Sequence, residues 1–126
     1  MKLNLALRFL LEVGALVSFA AAGWTLGPGW TSWLLAIAFP VGAATIWGTF
    51  NVPNDPSRSG GAPIPVPGTV RLLLEAGFFS LALAASVITA SPIVTVTFAI
   101  LIAVHYAFAS ARIQWLLNQT NLTSPA

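Results

Sequence analysis

Charge is what this chain has least of. Five basic and three acidic residues make up 6% of its 126 positions, against about 25% in ordinary soluble domains. Eight charges cannot cover a soluble globule of this size, so the sequence implies that lipid is the solvent for most of its surface. Cysteine is absent, which excludes disulfides and thiolate chemistry and leaves redox compartment unspecified. There is a single histidine, so a zinc or haem site built by this chain alone is not expected, and no cofactor is. No HExxH, Gly-rich phosphate loop or GxSxG pattern occurs, and no nucleophile is paired with a base, so an enzyme is not expected. The five basic residues are too few and too dispersed for a nucleic-acid footprint.

What remains is apolar, at 57% of residues and a mean hydropathy of +0.87. Two stretches, 13–54 and 76–111, carry no Asp, Glu, Lys or Arg at all. Each is long enough for two crossings at about 20 residues per span. The spacing predicts an all-α, polytopic membrane protein with a single domain and spans near 5–23, 32–50, 69–90 and 93–117. Gly27-Pro28-Gly29 and Ser91-Pro92 supply the turns. Between the hairpins lies a connector, 51–68, with prolines at 53, 56, 63, 65 and 67. The last three alternate and favour an extended, polyproline-like segment. Pro40 is expected to kink the second span.

The chain also repeats itself. Arg8-Phe9-Leu10-Leu11-Glu12-Val13-Gly14 returns as Arg71-Leu72-Leu73-Leu74-Glu75-Ala76-Gly77. Two parallel-repeat hairpins follow, each with a carboxylate about two turns below its entrance.

Lys2, Arg8, Arg58, Arg71 and Arg112 fall near the two ends or the connector, and the hairpin tips carry no charge. The positive-inside rule then places both termini and the connector in the cytoplasm of an inner-membrane protein. Trp24, Trp30 and Trp33 at one tip, with Trp47 and Trp115 toward the other side, read as aromatic belts. Lys2, the apolar run and Ala20-Ala21-Ala22 imitate a cleavable leader, but Arg8 and Glu12 interrupt it. Asn118-Gln119-Thr120 and Asn121-Leu122-Thr123 match the glycosylation pattern on the expected cytoplasmic side and read as chance.

The candidate polar cluster within the membrane is Arg8, Glu12, Arg71, Glu75, His105 and Arg112. Arg8–Glu12 and Arg71–Glu75 are four-residue pairs, whose arginines are expected to snorkel toward the headgroups. Arg112 is expected to join either carboxylate across the bundle, giving a structural knot. His105, near the middle of the fourth span, shares a face with Arg112 seven residues on. The same atoms would alternatively suit a minimal proton or cation channel using Glu12 and Glu75. A pigment, quinone or lipid binding module is a third reading. Small residues recur at four-residue spacing at Gly14, Ser18 and Ala22, at Ala76, Ser80 and Ala84, at Ala99, Ala103, Ala107 and Ala111, and at Ala38 and Gly42 then Ala44 and Gly48. Such stripes suit close helix packing or a homo-oligomer in the bilayer, and the expected role is a scaffold or accessory subunit among membrane partners.

Leu7-Arg8-Phe9-Leu10-Leu11-Glu12, Trp47-Gly48-Thr49-Phe50-Asn51-Val52-Pro53 and Pro67-Gly68-Thr69-Val70-Arg71-Leu72-Leu73-Leu74-Glu75 resemble the YrdB-like family. These are short bacterial and archaeal four-helix membrane proteins of unknown function. The resemblance implies the four-helix layout and supplies no mechanism. It lends nothing to His105 or Arg112.

Overall fold

A computed structural model of the chain describes residues 2–56 and 61–119. Arg58 and the Asn121–Thr123 tripeptide lie outside the described residues. The first charge-free stretch forms α1 (Lys2–Leu26) and α2 (Thr31–Thr49), and the connector forms β1 (Phe50–Asn51) and β2 (Ile64–Pro65). The second stretch forms α3 (Gly68–Thr89), α4 (Pro92–Ala107) and α5 (Ser110–Leu117). Three of these helices are long and apolar enough to cross a membrane, or four spans result if the bent α4–α5 pair is one.

Each hairpin turns where the sequence marks it. Gly29 takes a left-handed φ of 58° between α1 and α2, a conformation that suits glycine. Ser91 caps α4, its side chain accepting from the Val94 N–H at 3.4 Å, with Pro92 at the first helical position. Pro40 lies inside α2, which continues through it. Against α1, α2 packs so closely that a Cβ on Gly23 would overlap the Leu35 carbonyl.

The core is aromatic and small. Leu11, Ala15, Trp47, Phe78, Phe79 and Ala82 are buried together. Trp47 and Phe78 rings lie 4.2 Å apart, and Phe79 meets Phe78 edge-on at 5.2 Å. Trp47 is therefore a core residue and not part of an interfacial belt. Trp24 and Trp33 do stack edge-to-face at the first tip, 4.8 Å apart.

Several expectations need correction or completion. The expected fourth helix, 93–117, breaks after Ala107 and turns by 66°. Neither Phe108 nor Ala109 is a helix breaker. The bend serves α5, which buries Arg112 and Leu116 on one face while Ala111 and Gln114 stay exposed. A straight continuation would have carried Arg112 away from its acceptors. The bend also ends the single helical face that His105 and Arg112 would have shared. The small-residue stripes of α3 and α4 point outward, with Ala76, Ser80, Ala84, Ala103 and Ala107 all exposed. On α3, the small residues that pack inward are Ala82, Ala85 and Ser86. Finally, the end of the connector is extended, as its alternating prolines favour, but it is also paired. Phe50 pairs with Ile64 and Asn51 with Pro65 in a short parallel ladder, and the Val66 N–H donates to the Asn51 carbonyl at 2.9 Å.

A candidate functional site at the charged end of the bundle

Glu75 is the centre of the site. It sits two turns into α3, and its residue is 1% exposed. Three arginines and a phenol donate to it. Arg8, from α1, places Nη2 2.9 Å from Oε2 and Nη1 3.4 Å from Oε1. Arg71, one turn before Glu75 on α3, donates through Nε at 3.0 Å. Arg112, from α5, donates Nη1 to Oε1 at 3.0 Å and Nη2 to Oε2 at 2.7 Å. Tyr106 of α4 donates its hydroxyl to Oε1 at 2.7 Å. A carboxylate offers about four lone-pair directions, so this one is fully used.

The arginines are as buried as the acid they serve, with Arg71 at 0% exposure. None snorkels, because each finds acceptors inside the bundle. Arg71 also donates Nη1 to the carbonyls of Trp47 at 2.7 Å and Phe50 at 2.8 Å. That places a cation on the last turn of α2, where carbonyls lack helical partners. Its Cζ lies 4.3 Å from the centre of the Trp47 ring, and Arg8 approaches the same ring at 5.2 Å. The indole thus insulates both guanidiniums and adds a cation–π contact to each.

Glu12 is not the twin of Glu75. Its side chain is 23% exposed, pairs with Arg8 Nε at 3.3 Å, and accepts from Trp47 Nε1 at 3.0 Å. The two similar segments, Arg8–Glu12 and Arg71–Glu75, therefore hold their carboxylates in different surroundings.

Asp55 is the residue the sequence analysis missed. It is 2% exposed and binds Arg112 on a second side, Nε to Oδ1 at 3.1 Å and Nη2 to Oδ2 at 2.7 Å. Local chemistry puts it there. In Val52-Pro53-Asn54-Asp55 the Asp55 N–H donates to the Val52 carbonyl at 3.2 Å, and Asn54 takes φ 66°. Proline second and a left-handed asparagine third are the type II turn pattern. A charge count held the clue: three arginines within or beside the spans and only two glutamates left one cation without an acid. With Asp55, three arginines meet three carboxylates.

His105 stands apart from this ion cluster. It lies in the last turn of α4, level with the first turn of α1, where its Nδ1 is 3.0 Å from Asn4 Oδ1. That position is the charged end of the bundle, not mid-span. Among the described residues, no three His, Cys, Asp or Glu side chains converge where they could hold a metal ion.

Asp55→Asn is expected to weaken the bundle by about 2 kcal/mol, the range for hydrogen bonds to charged groups. Arg112 would keep Glu75 but lose a charge-matched partner. Unfolding in mixed detergent micelles reads the loss, and faster proteolysis of the connector should accompany it.

Residues 6–103 match a family described as protein of unknown function (DUF2568). The chain belongs to that family. It is also similar to the uncharacterized protein YrdB of Bacillus subtilis (strain 168), 40% identical over 116 residues, covering 92% of this chain and 94% of the relative. The resemblance to YrdB-like proteins therefore holds. No solved structure matches. The DUF2568 match takes in Arg8, Glu12, Asp55, Arg71 and Glu75 and stops before His105 and Arg112.

Proposed function

We propose that this protein is a non-enzymatic, multi-pass inner-membrane protein that acts as a homo-oligomeric scaffold or as an accessory subunit of a membrane complex. In this reading α1, α2 and α3 each cross the bilayer and the bent α4–α5 pair makes the fourth crossing. Both termini and the 51–68 connector lie in the cytoplasm, in keeping with the positions of the arginines.

One observation carries it: the ionisable groups are spent on joining the chain to itself, while the small-residue stripes of α3 and α4 are left facing out. Glu75 receives donors from α1, α3, α4 and α5, so a proton or cation moving through the bundle would meet an occupied carboxylate. Transport by way of Glu12 and Glu75 is disfavoured on that ground. Meanwhile Ala76, Ser80 and Ala84 on α3 are exposed in the single chain, and surfaces of this kind let helices from separate chains approach in lipid.

The absence of cysteine makes the test direct. Single cysteines placed one at a time along residues 76–84 are oxidised in native membranes. Disulfide-linked dimers should form at 76, 80 and 84 and fade between them. A monomer at every position, together with a purified lone chain that cross-links to nothing, would end the proposal. Reporter fusions in the connector and at both termini check the orientation, and a connector opposite to the termini would refute it.

A further inference from the structure

A cavity of about 240 Å³ opens where α4 breaks from α5. Asn4 and Leu5 of α1, Pro56 of the connector, Phe108 and Ala109 of the break, and Ala111 and Trp115 of α5 form its walls. The lining is nearly all carbon. Arg8 and Arg112 reach its floor, but both guanidiniums are engaged by Glu75, with Glu12 or Asp55 on their other side. Three arginines facing three carboxylates leave no net charge to recruit an ion.

His105 is the exception in this wall. It is 2% exposed, and its Nδ1 is occupied by Asn4 Oδ1. Its Nε2 is buried with no hydrogen-bond partner among the described residues. In the tautomer in which Nδ1 donates to that amide oxygen, Nε2 presents a lone pair. The group that satisfies it must donate. The cavity is smaller than the roughly 300–1,000 Å³ that encloses a whole drug-sized ligand. It therefore takes a head and not a tail, and Phe108, 77% exposed at the mouth, marks where a tail would leave.

We propose that this cavity binds the headgroup of an uncharged, hydroxyl-bearing amphiphile, whose O–H donates to His105 Nε2 while its chain runs out past Phe108 into lipid. Two sources share that chemistry, a glyceride with a free hydroxyl and a reduced quinone. The site does not depend on the oligomer.

The single histidine gives a clean readout. Full-length protein carrying ¹⁵N-histidine in phosphatidylcholine nanodiscs is titrated with a diacylglycerol, with a short-chain benzoquinol, and with the O-methyl ether of each. The Nε2 resonance is expected to move with at least one hydroxyl compound and to stay still with its ether. Whichever compound acts identifies the source. His105→Phe should lower retention of that compound in native mass spectrometry at least tenfold. Ala111→Trp fills the mouth without touching the histidine or the ion cluster. It should abolish the shift at unchanged helix content, and it keeps the test decisive if His105→Phe does not fold. A resonance unmoved by both hydroxyl compounds at saturation, or moved equally by their ethers, overturns the proposal.

Discussion

Glu75→Gln is expected to destabilise the protein by about 3–5 kcal/mol, the range for removing one partner from a buried ion pair. The amide keeps the shape of the carboxylate but not its charge or its acceptor count. Arg8, Arg71 and Arg112 would be left to share Glu12 and Asp55, and the Tyr106 hydroxyl would lose a charged acceptor. Glu12→Gln is the matched control, because this glutamate, also four residues after an arginine, is partly exposed and serves Arg8 and the Trp47 indole. A glutamine there can still accept from the indole, so about 1 kcal/mol is expected, the net value of one hydrogen bond. Titration from mild detergent into SDS, followed by circular dichroism, measures both. Equal losses for the two variants would mean that the two glutamates are energetically equivalent and that Glu75 has no special place.

The second large effect concerns a glycine. At the start of α3, Gly68 lies directly beneath the end of α5, and a Cβ there would overlap the Leu116 carbonyl. Its N–H donates to the Gln119 carbonyl at 2.8 Å, so the two backbones touch with nothing between them. Gly68→Ala should force α5 away and cost about 3 kcal/mol, at the upper end for overpacking because the obstacle is main chain. Displacing α5 would also withdraw Arg112 from both of its acids. Gly77→Ala, a helix-interior position with nothing within 4 Å of the added carbon, should instead stabilise by about 0.5–1 kcal/mol through helix propensity. Thermal unfolding of the pair gives opposite signs if this contact is as tight as described, and a neutral Gly68→Ala would show that it is not.

The sequence made some of this legible and hid the rest for identifiable reasons. The helices and their turns could be read because lipid-length apolar runs and Pro/Gly punctuation are local signals. Arg8–Glu12 and Arg71–Glu75 could be read because four-residue spacing is also local. Pairing Arg8 with Glu75 joins residues 67 apart, and Arg112 with Asp55 residues 57 apart, and no periodicity reports such distances. Asp55 was concealed in a proline-rich connector that looked like solvent-exposed spacer. Trp47 was mistaken for a belt residue because an indole near a helix end suits an interface and a core equally. Which stripes pack inside the chain and which face outward was left open for a similar reason: alanine and glycine are as compatible with lipid as with a neighbouring helix. The break after Ala107 has no Pro or Gly to announce it, and it accompanies contacts of Arg112 with acids 37 and 57 positions away.

The distribution of partners around Glu75 bears on how the chain is made. Arg8 leaves the ribosome 67 positions before its main acceptor, and Arg112, which completes the set, follows that acceptor by another 37. Throughout that interval the first hairpin holds a cation matched only by its own partly exposed Glu12. Closure across so many residues is slow relative to helix formation. Helix formation and final closure are thus separate events, and a chain cut before α5 is expected to form its other helices while Glu75 lacks both Arg112 hydrogen bonds.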